Sequence, residues 1–373
     1  MPDQEETIDF GEEPVDPPAT ALEEKYSKEM RQIVSQKIDL PISTLPDMIN
    51  DQINLNPDFQ RRDRWDEEKQ SRFIESIIMN VPIPPVFLGE DEYGMYVVLD
   101  GRQRLTAIRE FLNNTFTLKS LKVWADLNGQ NYNDLKKKKL AAAITRRFIP
   151  AVVILKESST QVKYDVFDRL NTGGVIAEPM EIRNAVFQGG FNKLIRQLAE
   201  LHDFRRLWDI PTEQAELEKN GLYRKMADLE IVLRFFALSH YDRMDMKYKD
   251  YLGDFMDKRN KEYVQNQALE QEDRQLFVRA IENCWTAFGA AAFRKNAQSK
   301  KSVPLADAVM IALSTHPHDV VRQKADGIRA AISQLLEHNV EFRKAFGTGT
   351  NGKGAITKRI QLAQEAVRVA VAQ

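Results

Sequence analysis

Every strand-like run in this 373-residue chain lies before residue 156, and the remainder is patterned for helices. That split constrains the fold, because any sheet must come from the first part while the second must bury helical faces. "KIDLPISTLPDMIND" (37–51) reads as a strand entering a short helix. "DEEKQSRFIESIIMN" (66–80) puts Phe73, Ile74, Ile77 and Ile78 on one helical face. Asp66 is its N-cap, Glu67 and Glu68 suit the positive end of the helix dipole, and Pro82, Pro84 and Pro85 stop it. "VFLGEDEYGMYVVLD" (86–100) reads as a hairpin and "FIPAVVIL" (148–155) as a buried strand. Ser158 and Gln161 suggest a capping box for a helix with Val162, Val166, Phe167 and Leu170 inward, ending at "NTGG" (171–174). Another helix starts at Pro179 and ends before Gly189-Gly190. From about 190 onward nearly every segment has helical periodicity, "KMADLEIVLRFFALSHY" and "LADAVMIALSTH" among them. The expected fold class is α+β, with an α+β domain over 25–190 and an α-helical domain over 191–373.

Charge is unevenly placed. Residues 1–24 carry nine acidic residues, four prolines and no Lys or Arg, so this segment is expected to be a disordered acidic tail. The rest has 53 basic against 46 acidic residues, a mild excess that suits a polyanionic partner. A single cysteine, Cys284, excludes an internal disulfide and a cysteine-rich zinc site, and reads as a buried thiol. No run approaches the length of a membrane span and no basic-then-apolar leader opens the chain, so a cytoplasmic location is expected.

The stretch with the most chemistry is "YVVLDGRQRLTAIREFLNN" (96–114). A strand runs into Asp100-Gly101, then an amphipathic helix begins, with Leu105, Ile108, Phe111 and Leu112 on one side. Glycine at such a corner lets the backbone approach a ligand, and the first helical turn offers unpaired N–H groups. Arg102 and Arg104 supply planar donors for phosphate oxygens, and Gln103 can orient a ligand or a water. Asp100 can hold Mg²⁺ or accept a proton from an attacking water. A plain strand–turn–helix, with Asp100 as N-cap and both arginines in solvent, is the simpler alternative on these residues alone.

Two further segments add weight. Arg61, Arg62, Arg64 and Trp65 precede a helix, where cations beside an aromatic can grip a phosphate and stack on a base. Asn171, Thr172, Gly173 and Gly174 form a turn able to expose backbone amides, ahead of a helix with Glu181, Arg183 and Asn184. "FQRRDRW", "IESIIMNVPIPP", "VVLDGRQRLTAI" and "DRLNTGG…MEIRNAVF", in this order, resemble the N-terminal domain of GmrSD-type modification-dependent restriction enzymes, within the ParB/sulfiredoxin-like proteins. The resemblance covers roughly 37–190.

It implies a ParB/sulfiredoxin-like fold with a nucleotide pocket at the Asp-Gly-x-Gln-Arg corner, supporting nucleoside triphosphate hydrolysis with Mg²⁺ coupled to recognition or cutting of DNA. Carried over, Asp100, Gln103 and Arg104 are the catalytic candidates, and Asp100 is the metal ligand. Arg61, Arg62, Trp65, Gly101, Arg102, Asn171, Thr172, Gly173, Gly174, Glu181, Arg183 and Asn184 are the nucleotide-binding candidates. Arg102 stands where the family most often has glutamine. The implied setting is bacterial restriction or anti-phage defence. The implied partners are DNA and a nuclease or other defence protein, and the helical half has length enough for a homo-oligomer surface.

Larger relatives add a His-Asn-His nuclease domain. The histidines here, at 202, 240, 316, 318 and 338, pair only in "HPHD" (316–319), which reads as a helix–helix loop. Any cutting would then fall to the N-terminal domain or to a partner. "GTGTNGKGAIT" (347–357) imitates a phosphate-binding loop but has Gly354 where Ser or Thr should hold Mg²⁺. The lysine run 136–139 reads first as a solvated helix face. Three functions are compatible with these residues: a nucleotide-hydrolysing DNA-directed defence protein, a non-hydrolytic nucleotide-gated DNA-binding switch, or a metal-dependent nickase acting at Asp100.

Overall fold

The structure, a computed structural model, describes residues 33–55, 65–91, 94–158, 160–170, 178–239, 247–346 and 351–373. The acidic tail 1–24, Arg61, Arg62, residues 171–174 and the start of the glycine-rich segment, 347–350, lie outside them.

One five-stranded mixed sheet forms in the order β1 (Ser35–Pro41), β5 (Phe148–Ile154), β3 (Val86–Glu90), β4 (Tyr96–Asp100), β2 (Ile53–Asn54). β3 and β4 are the expected hairpin, antiparallel with Leu88 opposite Val98. The register shifts between Phe87 and Leu88, so the irregularity falls where β4 reaches Asp100. Such bulges re-aim side chains at strand ends.

Alternation along the strands divides the interior. Val86, Leu88, Val98, Ala151 and Val153 pack into one core with Leu45, Ile74, Ile77, Leu105 and Ile108. These last come from α1 (Leu45–Asp51), α2 (Glu67–Ile78) and α3 (Arg102–Leu112). Leu99 and Ile154 point the other way, into a second core with Phe167, Met180 and Ile182 of α4 (Thr160–Leu170) and α5 (Pro179–Val186). That core runs on unbroken into the helical half. The sheet is therefore a layer shared by both cores, as period-two side-chain placement permits.

α2 begins as expected: Asp66 accepts from the Lys69 N–H at 2.8 Å. The expected capping box at Ser158 pairs it with Gln161, whose side chain lies outside those described; the structure gives Ser158 another partner. The Ser158 hydroxyl accepts from the Val34 N–H at 3.0 Å and donates to the Val34 carbonyl at 3.2 Å. Because Leu155 N–H also bonds the Val34 carbonyl, at 2.9 Å, the chain entering β1 runs alongside Ser158 and takes its hydroxyl.

The longer helices after residue 190 are α6 (Gly190–Ala199), α7 (Ala227–Ser239), α8 (Tyr248–Gln265), α9 (Ala268–Phe288), α10 (Val303–Ser314), α11 (Ala325–His338) and α12 (Lys353–Ala372). α10 is apolar nearly all round and buried from Leu305 to Ser314, as a central helix must be. Its one acid, Asp307, meets Arg234 of α7 at 3.0 and 2.5 Å and Arg359 of α12 at 2.8 Å. Cys284 is buried, and burial pushes its thiol well above the usual range. No described helix is long and apolar enough to cross a membrane.

Candidate functional site

β4 ends in Asp100, and the backbone turns at Gly101 with φ +94° to start α3. A Cβ at Gly101 would sit 2.3 Å from Val86 Cγ1, so the corner needs glycine for space as well as for φ. Gly101 is the N-cap and has no side chain with which to cap the first turn. The first-turn amides lie at the positive end of the helix dipole, a position that favours an anion. Asp100 is thus the last strand residue and not the helix cap.

Arg104 reaches back over one turn. Its Nη2 lies 2.6 Å from Asp100 Oδ2, while Nη1 donates to the carbonyls of Pro85, at 3.2 Å, and Pro84. The Arg104 side chain is 14% exposed and that of Asp100 38%, so the arginine is the buried latch and the carboxylate faces out. The Pro-x-Pro-Pro run thereby joins the site through its carbonyls, a role that reading it as a helix stop does not reveal.

Gln103 ties in the first motif. Its Oε1 accepts from the Trp65 N–H at 3.1 Å, and the Trp65 ring stands edge-on to Phe73, centroids 5.6 Å apart. Arg102 faces the third motif. Burial pulls its guanidinium below the ordinary value, and the nearby Glu181 carboxylate pulls it back up. Glu181 also accepts from the Glu178 N–H at 2.9 Å, closing a capping box at the start of α5. The three segments singled out in sequence therefore meet around one corner, through Trp65, the Asp100–Arg104 turn and Glu181.

Arg183 and Asn184 face away from that corner. Arg183, 2% exposed, donates to Glu230 Oε2 at 3.2 Å and to the Lys249 carbonyl at 3.1 Å. Asn184, fully buried, directs its side-chain amide toward Met226 Sδ at 3.8 Å, and its backbone carbonyl accepts from the Asn192 side-chain amide at 3.2 Å. Both side chains fasten α5 to the helical half. The candidates Arg61, Arg62, Asn171, Thr172, Gly173 and Gly174 lie outside the described residues.

Among the described residues no group of three or more His, Cys, Asp or Glu could hold a metal ion. "HPHD" is a helix–helix connection, as expected, with His318 Nδ1 3.0 Å from Asn283 Oδ1. In the glycine-rich segment, Gly352 caps α12, and Lys358 pairs with Glu341 at 2.6 Å. Helix precedes this segment, so no strand leads into it as a phosphate-binding loop requires.

Residues 43–188 match the family model described as the GmrSD restriction endonuclease N-terminal domain. No curated protein and no solved structure matches the chain. The matched span begins at the end of β1, takes in the rest of the sheet and the Asp100–Arg104 corner, and stops just beyond α5. Residues 43–188 of this chain are thus similar to the GmrSD restriction endonuclease N-terminal domain.

Proposed function

We propose that the Asp100–Arg104 corner binds the phosphates of a nucleoside triphosphate and hydrolyses it, within a DNA-directed restriction or defence protein. The observation that carries this reading is the outward-facing carboxylate of Asp100 at the N-terminus of a helix whose cap residue is Gly101. Arg102 and the first-turn amides of α3 hold phosphate oxygens. Arg104 fixes the Asp100 carboxylate through Oδ2, leaving Oδ1 to orient a water. Gln103 and Trp65 border the nucleotide, and Glu181 sets the position of Arg102. The resemblance implies nucleotide-binding roles for Arg61, Arg62 and residues 171–174 as well. One carboxylate fits Mg²⁺, which commonly takes one or two protein carboxylates with phosphate oxygens and waters. When bound, the ion would neutralise phosphate charge.

The switch reading has one observation in its favour: the Asp100 carboxylate is already engaged by Arg104 at 2.6 Å, so one of its two oxygens is occupied. Phosphate release from the four ribonucleoside triphosphates with Mg²⁺, with and without DNA, separates the two. The wild-type chain is expected to release phosphate, and Asp100→Asn to bind nucleotide without releasing it. Arg102→Ala is expected to weaken nucleotide binding on the order of tenfold to a hundredfold, the loss of a charge-assisted hydrogen bond. Binding without turnover in the wild type favours the switch. A wild type that neither binds nor hydrolyses overturns both. Cleavage of supercoiled plasmid with Mg²⁺ and no nucleotide would point to a nickase.

A further inference from the structure

The connection after α3 is anchored by side chains beneath it and open at its tip. Glu75 of α2, only 7% exposed, accepts from the backbone N–H groups of Val123 at 2.9 Å and Trp124 at 2.8 Å, with Lys122 at 3.5 Å. Ser71 accepts from the Lys119 N–H at 2.9 Å, and Asn128 from the Leu121 N–H at 3.0 Å. The loop closes on itself where Leu118 N–H bonds the Gln130 carbonyl at 2.9 Å and Gly129 N–H bonds the Leu118 carbonyl at 2.8 Å. A buried carboxylate holding successive amides fixes the backbone. What it holds up is Val123, 65% exposed, and Trp124, 38% exposed.

An exposed indole on a fixed loop calls for a partner, since Trp is seldom left in water without one. Its neighbours indicate the kind of partner. Lys122 is exposed beside it, and Lys119 is half-exposed and shared with Glu67. Along the sequence, residues 119–147 hold eight basic residues against two acidic, a local positive excess. An aromatic face among cations is the pattern that grips a nucleic-acid strand, the ring stacking on a base and the cations meeting phosphates. A duplex buries its base faces, so the ring needs an unpaired base.

We infer that loop 119–124 is a contact surface for single-stranded DNA, with Trp124 stacking on an unpaired base and Lys119 and Lys122 meeting its phosphates. The choice of DNA rests on the function proposed above; the surface itself does not.

Fluorescence anisotropy of the full chain with a labelled 20-nucleotide single strand, and with a duplex of the same sequence, tests this. Trp124→Ala is expected to weaken single-strand binding roughly tenfold, with Trp124→Phe near wild type and the duplex little affected. Lys119→Ala with Lys122→Ala is expected to reduce the salt dependence of single-strand binding by roughly one log unit per log unit of salt. Wild-type affinity in Trp124→Ala overturns the inference. So does a polyglutamate peptide that displaces the strand as well as unlabelled DNA does, since that marks a general polyanion surface. Phosphate release by the same variants keeps the readings separable. A single-strand defect in Trp124→Ala with unaltered nucleotide handling supports the loop independently, and a wild type that is inert toward nucleotide but binds the single strand more tightly than Trp124→Ala fails only the corner.

Discussion

At Gly101 two costs coincide, and a second glycine separates them. Both Gly101 and Gly94 have positive φ, +94° and +77°, but only Gly101 has Val86 where a Cβ would go. Gly94→Ala should cost about 1 kcal/mol, from the left-handed backbone alone. Gly101→Ala should cost about 2–4 kcal/mol, adding an overpacked contact to the same strain. Urea unfolding measures both, and equal losses would show that Val86 moves aside freely. Asp-Gly before an amphipathic run makes this turn legible in the sequence. The use of Arg104 is not legible there. Its spacing from Asp100 permits the ion pair, yet the Pro84 and Pro85 carbonyls come within reach only once the hairpin has folded. Ser158 teaches the same lesson, because its competing partner Val34 lies 124 residues away in sequence.

At the scale of elements, α5 has two working sides. Successive helical residues turn by about 100°, so Glu181 and Arg183 project on roughly opposite sides. Glu181 faces Arg102 at the corner, while Arg183 grips Glu230 and the Lys249 carbonyl. The sequence shows where this helix begins, because Pro179 at N1 is a local signal. It does not show which side meets which core, since that depends on α7 and α8. Reading Glu181, Arg183 and Asn184 as one cluster follows from proximity in sequence, and the helix separates them. Arg183→Met should destabilise the fold by about 1.5–3 kcal/mol, the range for a buried charge-assisted hydrogen bond. Adding Glu230→Gln to that variant should cost little more, because the pair is already broken. Additive losses in urea unfolding would mean that the two side chains act separately.

Across the whole molecule, the split between strand-like and helical patterning locates the sheet but not the boundary between cores. Leu99 and Ile154 belong to the core that also holds the helices after 190, so α4 and α5 lie in the helical core although they precede that position. Burial depth is likewise a property of the assembled chain, and it predicts an alkaline limit to stability. Burial pushes the thiol of Cys284 and the hydroxyls of Tyr164, Tyr248 and Tyr263 above their ordinary values, and the hydrogen bond from Tyr263 to Asp273, 2.6 Å, adds to its shift. Each group is held protonated in the folded state. In the unfolded chain the thiol loses its proton near pH ~8.5 and the phenols near ~10. Above those values the folded state binds more protons than the unfolded one, so stability falls as pH rises. The contribution of these groups is fully present below pH ~8.5; the decline begins with Cys284 and steepens beyond ~10 as the tyrosines join. Cys284 and Tyr248 should each contribute a slope of about 1.4 kcal/mol per pH unit once their unfolded forms are ionised. Urea midpoints across this range should show that two-stage fall, with the first stage missing in Cys284→Ala. A midpoint unchanged through pH ~10.5 would mean that these groups meet water in the folded chain and that the helical core is looser than its packing implies.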